Sequence, residues 1–169
     1  MKALPFFLLS CALFFVACAS SEVLPFTTEE VSMLASGPLM EGSNTAQGDY
    51  QPALEQWLQS KGAKMADVRE AKLVKASFML PDSMNSSLIS EITLHLAAEK
   101  ADMQKVGVLN PVPEGQTWLV LQTAQEQKKI ADFLRQPTMT FVADINVKKD
   151  TMPDLHLKGI FEFQITLNR

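Results

Sequence analysis

The residue of this chain whose type and position carry the clearest chemistry is Cys18. It follows directly after a long apolar stretch and precedes a short polar one. A deprotonated thiol is a strong nucleophile, so a cysteine at such a boundary is a candidate for covalent modification. The other cysteine, Cys11, lies inside the apolar stretch and is interpreted as one of its apolar members.

Residues 1–17 have the order of a secretory signal peptide. Lys2 gives a positive start, an apolar run extends from Ala3 to Val16, and Ala17 supplies the small residue at the end. The run is shorter than the roughly 20 apolar residues that a transmembrane helix needs. We therefore predict that residues 1–17 are removed from the mature protein.

The sequence Phe15-Val16-Ala17-Cys18 resembles the lipobox of bacterial lipoproteins, in which small residues precede a cysteine. The resemblance implies that Cys18 receives a diacylglyceryl group through a thioether. It also implies that a dedicated peptidase cuts between Ala17 and Cys18 and that the new amine is acylated. Two or more acyl chains hold a protein firmly on a bilayer. This reading predicts a lipid-anchored protein of the bacterial cell envelope, at the outer membrane.

A competing interpretation treats Ala17-Cys18-Ala19 as an A-x-A site for ordinary signal peptidase. Cleavage would then fall before Ser20 and release a protein without an anchor. In either case no free cysteine remains, so the mature fold must be stable without disulfides.

Length and charge limit the functions open to the chain. The 169 residues are enough for a signal, a tether over residues 18–26 and one domain over residues 27–169. The net charge of −4 argues against nucleic-acid binding, which needs a basic surface. It also argues against electrostatic binding to anionic lipid, so the acyl chains would supply the attachment.

The residues that could bind a metal ion are few. A zinc site needs three or four ligands, and the chain offers only His95 and His156 besides its carboxylates. Oxygen ligands for calcium cluster near the last turn, at Asp144, Asn146, Asp150 and Asp154. They do not follow the EF-hand spacing, and such residues are common in turns. We predict no metal site and no cofactor.

Catalytic motifs give no positive signal either. The chain contains no G-x-S-x-G elbow for a nucleophilic serine and no glycine-rich phosphate loop. We therefore predict a protein that is not an enzyme.

Hydrophobic periodicity predicts mostly strands. Helical spacing and capping signals predict two short amphipathic helices, over residues 49–61 and 123–135. Residues 28–36 fit a helix or a first strand equally well, and residues 38–48 are predicted to be a loop. Alternation with a period of two predicts strands over residues 74–80, 92–98, 105–109, 117–121, 138–148 and 155–167.

The last two predicted strands, over residues 138–148 and 155–167, carry the strongest pattern, with one apolar and one polar face each. We expect them to pair as a long antiparallel hairpin whose apolar face another sheet covers. These features predict a mainly β fold, an antiparallel β-sandwich of immunoglobulin-like or similar Greek-key type. This layout after a lipobox resembles the uncharacterised single-domain lipoproteins of Bacteroidota.

Two functions remain in view at this point. The first is a non-enzymatic binding or scaffold module for an unknown envelope protein or a glycan. The second is a carrier of a small apolar ligand, with Trp57, Trp118 and methionines as its lining. A flat aromatic patch would favour the first function, and a deep apolar cavity would favour the second.

Overall fold

The computed structural model of the chain describes residues 21–81, 86–151 and 153–168. Within these ranges nine strands form one antiparallel sheet. The strands are β1 (Ser21–Thr27), β2 (Val31–Ala35), β3 (Gly42–Tyr50), β4 (Val68–Met79), β5 (Ile89–Ala98), β6 (Ala101–Leu109), β7 (Trp118–Thr123), β8 (Met139–Val147) and β9 (Leu155–Asn168). The helices are α1 (Leu54–Ser60) and α2 (Ile130–Leu134), with 3-10 turns at Met65–Asp67 and Ser86–Leu88.

The sheet closes on itself through its longest strand, β9. One edge of β9 pairs with β4, and the other edge pairs with β1 and then β2. From β2 the order continues through β3, β8, β5, β6 and β7 back to β4. Eight strands therefore make a closed barrel, and β1 extends the position of β2 along β9.

The prediction of a mainly β, antiparallel fold is confirmed. The finer prediction of a sandwich is not confirmed, because the nine described strands belong to one closed sheet rather than to two stacked ones. Period-two patterning reports which face of a strand is buried, and both architectures bury one face of every strand.

Aromatic rings fill the centre of the barrel. The rings of Phe141 on β8 and Phe161 on β9 stack with centroids 3.8 Å apart and planes inclined by 9°. Phe78 on β4 meets Phe161 edge to face, with centroids 5.7 Å apart. All three side chains are fully buried, so the interior is a packed core.

The predicted hairpin of the last two strands is wrong. β8 pairs with β3 and β5, whereas β9 pairs with β1, β2 and β4. The two apolar faces were predicted correctly, but they meet across the core through Phe141 and Phe161 instead of along a shared ladder. The alternation fixes a strand's face, and it says nothing about the strand's hydrogen-bonded neighbour.

The segment predicted as a tether contributes a strand, since Ser21–Thr27 form β1 and bury Phe26. After β1 the chain turns at Thr28, whose backbone N–H donates to the Phe161 carbonyl at 2.9 Å. The Thr28 hydroxyl accepts from the Phe161 N–H at 3.1 Å. The Thr28 hydroxyl therefore bonds to β9 and does not cap a helix. Of the two structures predicted for residues 28–36, the strand is the one observed, as β2 (Val31–Ala35).

Residues 38–48 are not the predicted loop throughout, because β3 begins at Gly42. Its polar sequence lacks β propensity, and pairing with β8 along its whole length overrides that preference. Gly48 allows a close backbone approach there, since a Cβ would collide with the Ser32 carbonyl oxygen of β2.

The two predicted amphipathic helices are corrected as well. Residues 49 and 50 finish β3, so α1 spans only Leu54–Ser60. Residues 124–129 precede α2 without helical structure, and α2 is a single turn with four of its five residues buried. Gln127 explains the difference. Its side-chain oxygen accepts a 2.8 Å hydrogen bond from the Leu73 N–H of β4, and its side-chain nitrogen donates a 2.8 Å hydrogen bond to the Leu73 carbonyl.

The two ends of the barrel carry different helices and loops. At the Ser21 end, β1 begins beside the last residues of β9, and both α1 and α2 lie there. At the Trp118 end, β7 begins beside the last residue of β4, Met79. The loops of residues 36–41 and 148–154 also lie at the Trp118 end.

Candidate functional site

The predicted modification site, Cys18, and the predicted cleavage position after Ala17 lie outside the described residues. The described part starts at Ser21, which is paired with Asn168 in the sheet. None of the helices in residues 21–81, 86–151 and 153–168 is long and apolar enough to cross a bilayer. Two surfaces of the described residues, one at each end of the barrel, combine aromatic side chains with access to solvent.

The first surface, here called the apolar patch, lies on the outer face near the Trp118 end. Trp118 on β7 is directly opposite Met79 on β4, and Val120 is opposite Ser77. Met79 lines a cavity of about 230 Å³ together with His156 and Lys158 of β9. The patch consists of Met79, Trp118 and Val120, which are 36, 45 and 49% exposed.

The patch contains Trp118, one of the two tryptophans predicted to line the cavity of an apolar-ligand carrier. The alternation already held the contrary signal, because Leu119 and Leu121 share the opposite parity and are buried. If these leucines face the core, Trp118 and Val120 must face outward. Trp57, the other tryptophan, is partly buried at the Ser21 end.

A buried hydroxyl lies within this patch. Ser77 points to the outer face between Val120 of β7 and Ile160 of β9 and is only 1% exposed. Its Oγ has no hydrogen-bond partner among the described residues. A buried hydroxyl without a partner costs about 1–3 kcal/mol. The patch therefore keeps a feature that lowers the stability of the isolated domain.

Ser77→Ala is expected to raise the free energy of unfolding by up to about 1 kcal/mol, because it removes the unpaired hydroxyl and leaves the packing unchanged. Urea unfolding of the two proteins measures the difference. A loss of more than about 1 kcal/mol would contradict the account and show that the hydroxyl makes a stabilising bond.

The second surface, here called the aromatic groove, lies at the Ser21 end. Its cavity of about 670 Å³ is formed between the turn after β1, the end of β3 and the start of α1. The lining residues are Phe26, Thr27, Glu29, Asp49, Tyr50, Gln51, Pro52, Ala53, Gln56 and Trp57. The groove thus combines three aromatic rings with two carboxylates and two carboxamides.

Ring–ring contacts fix the orientation of the aromatic side chains that line the groove. The rings of Phe26 and Trp57 meet edge to face, with centroids 5.3 Å apart and planes inclined by 78°. The ring of Tyr50 packs against the core ring of Phe141, with centroids 6.1 Å apart. The Asp49 carboxylate accepts a 2.7 Å hydrogen bond from the Thr140 hydroxyl. These contacts orient the groove's side chains before any ligand arrives.

Tyr50 provides a spectroscopic probe of the groove, because the chain has a single tyrosine. Burial raises the pKa of Tyr50 above 10.0, the Glu29 carboxylate raises it further, and a hydrogen bond with the Glu29 backbone opposes the shift. The neutral phenol is therefore favoured in the folded state. This contribution to stability is complete below pH 10.0 and is lost as pH rises through the folded-state pKa.

In an alkaline titration, the tyrosinate absorbance of the folded protein is expected to appear above pH 10.0, and in denaturant it should return to that ordinary value. Glu29→Gln should lower the folded-state midpoint, since it removes one of the causes. A folded-state midpoint at or below the denatured one would contradict the assigned environment.

The predicted metal-ligand candidates serve other purposes. His95 is turned outward but largely covered, and its Nδ1, 3.5 Å from the Asp144 carboxylate, has no hydrogen-bond partner among the described residues. Asp150 and Asp154 accept 2.7 Å hydrogen bonds from the backbone N–H groups of Glu41 and Gly37. Among the described residues, no group of three or more potential ligands is placed to hold a metal ion.

Comparisons with known proteins give only distant likenesses. No protein-family model and no curated protein matches the chain. A semi-empty virus-like particle of Macrobrachium rosenbergii nodavirus has a TM-score of 0.32 and 8% identity, covering 100% of this chain and 94% of that one. Desmodium yellow mottle tymovirus has a TM-score of 0.31 and 12% identity, covering 89 and 90%. A carbohydrate-binding module of the β-sandwich superfamily has a TM-score of 0.30 and 7% identity, covering 81 and 54%. Likenesses this weak carry no argument about function.

Proposed function

We propose that this chain is a lipid-anchored, non-enzymatic protein-binding module of a bacterial cell envelope, at the outer membrane. The observation that carries the proposal is the pairing of two features. A lipobox-like sequence ends at Cys18, and the outward face at the opposite end of the barrel carries the exposed apolar patch. The first feature would direct the protein to the membrane, and the second would supply its binding surface.

The distance between Cys18 and the fold makes the anchor informative about orientation. Ser21 already belongs to β1, so the linker from Cys18 reaches at most about 10 Å. An acylated Cys18 would keep the Ser21 end of the barrel close to the lipid headgroups. Strand β4, with 12 residues tilted as in other barrels, then holds the Trp118 end about 30 Å further out.

The apolar patch suits a protein partner. Tryptophan and methionine are enriched in the buried centres of protein interfaces, and tryptophan supplies much of the binding energy in many of them. His156 and Lys158 flank the patch, and Lys158 forms a 2.9 Å ion pair with Glu30. A polar rim of this kind around an apolar centre is typical of protein docking sites.

The alternative of an apolar-ligand carrier gains no support from these residues. The barrel interior between the described strands is filled by stacked phenylalanine rings. Trp57 and Trp118 lie at opposite ends of the barrel, so they do not line one cavity together.

Site-directed photocrosslinking in intact cells tests the binding function. Benzoylphenylalanine at position 120, inside the patch, is expected to give a discrete adduct with one envelope protein. The same group at position 23 is the matched control, because Val23 is also exposed, at 54%, but lies at the Ser21 end. Trp118→Asp should weaken the adduct at position 120 at least about tenfold, because it places a charge in an apolar interface.

Equal adducts from positions 120 and 23 would contradict a specific docking site. So would an adduct at position 120 that Trp118→Asp leaves unchanged. Circular dichroism of the purified Trp118→Asp variant is the control that checks whether it is folded.

A further inference from the structure

The aromatic groove has a charge that the patch lacks. Glu29 and Asp49 are its two ionisable carboxylates, and its lining contains no lysine, arginine or histidine. Glu30, the neighbour of Glu29, is paired with Lys158 and does not line the groove. The groove therefore presents two negative charges beside the partly exposed rings of Tyr50 and Trp57, whereas Phe26 is buried.

Aromatic rings add a second attraction for a positive charge. The faces of tryptophan, tyrosine and phenylalanine rings are electron-rich and attract a cation within about 6 Å of the centroid. Phe26 is 4% exposed and packs edge to face against Trp57, so Trp57 and Tyr50 are the rings that a ligand can reach. Tyr50 stands on the same cavity and lies next in sequence to Asp49.

We infer that the aromatic groove binds an organic ammonium group, primary or quaternary. A bare metal ion needs several ligands in close geometry, and the described residues contain no group of three or more His, Cys, Asp or Glu side chains placed to hold one. A neutral ligand would make no use of the two carboxylate charges. The ammonium group alone uses both the charge and the rings.

The environment of Tyr50 supports this inference. Burial raises the pKa of Tyr50, and the negative charge of the Glu29 carboxylate raises it further. A cation bound between them would oppose that effect and lower the pKa. The tyrosinate titration therefore gives a readout of occupancy that does not depend on fluorescence.

The test uses the full chain carrying Trp118→Phe, which leaves Trp57 as its single tryptophan. Choline chloride is titrated while Trp57 fluorescence is followed, and dimethylbutanol, the neutral isostere of choline, is the matched ligand. Choline is expected to give a saturable change and to bind about tenfold more tightly than dimethylbutanol. Saturating choline should also lower the pKa of Tyr50.

Three variants locate the site. Glu29→Gln and Asp49→Asn are each expected to weaken choline binding about three- to tenfold. Glu55→Gln is the matched control, because Glu55 lies on α1 next to the groove but lines a different cavity. It should leave choline binding unchanged.

The inference is overturned if dimethylbutanol binds as tightly as choline, a comparison that needs no change to the groove residues. It is also overturned if Glu55→Gln weakens binding as much as Glu29→Gln does, or if only neutral saccharides change the Trp57 signal.

The ammonium group can belong to a soluble amine or to a lipid headgroup. Vesicles of phosphatidylcholine that reproduce the choline response, while phosphatidylglycerol vesicles do not, would assign the headgroup as the source. A response to free choline alone would assign a soluble amine. The inference concerns a site separate from the patch and does not depend on the anchor at Cys18.

Discussion

Gly159→Ala is expected to destabilise the protein by about 3 kcal/mol, and Gly159→Val is expected to prevent folding. A Cβ at this position on β9 would lie 2.5 and 2.7 Å from two ring carbons of Phe161 and 3.2 Å from Phe78. The Phe161 ring has no room to move, because Phe141 stacks on it at 3.8 Å. The clash therefore spreads into the centre of the core.

Gly107→Ala is the matched control for this prediction. Gly107 also lies within a strand, but a Cβ there would meet its nearest atom, the Gln122 carbonyl oxygen, at 3.4 Å. We expect a loss of less than about 1 kcal/mol in urea unfolding. Phe161→Leu should restore part of the stability of Gly159→Ala, since it shortens the ring that the new methyl group meets.

Equal losses from Gly159→Ala and Gly107→Ala would contradict the packing described for the core. The packing is also contradicted if the losses of unfolding free energy from Phe161→Leu and Gly159→Ala simply add in the double variant, because residues in contact should show a coupling energy.

The sequence predicted the buried faces of the strands far better than their partners. Phe141 and Phe161 were assigned to inward faces by parity alone, and both are buried. Their strands were expected to pair, but closure through β9 separates them and makes the rings meet across the core. Which strand lies next to which depends on the whole sheet, and no window of a few residues contains that information.

Local helix signals failed where a side chain found a better partner. The Thr123-Ala124-Gln125-Glu126 spacing predicts a capped helix, but Gln127 extends the hydrogen bonding of β4 at Leu73. The groove was missed for a related reason. The helical spacing over residues 49–61 predicts one stripe that contains Tyr50 and Trp57, whereas Tyr50 ends β3 and only Trp57 lies on α1.

Cys18→Ser is expected to move the protein from the membrane fraction to the soluble one. The lipobox-like sequence predicts acyl chains on Cys18, and at about 0.8 kcal/mol per buried methylene these chains dominate membrane binding. The net charge of −4 does not favour binding to anionic lipid in their place. Serine lacks the thiol, so neither the thioether nor the cleavage before residue 18 can occur. The A-x-A pattern of residues 17–19 remains, so ordinary signal peptidase can remove the apolar signal and release a variant that begins at Ser20.

Membrane fractionation followed by intact-mass analysis of wild type and Cys18→Ser tests the account most directly. The account predicts a membrane-bound wild type that begins at Cys18 and carries the added mass of acyl chains, with both features lost in the variant. A soluble wild-type protein that begins at Ser20 would contradict the anchor and favour the A-x-A cleavage instead.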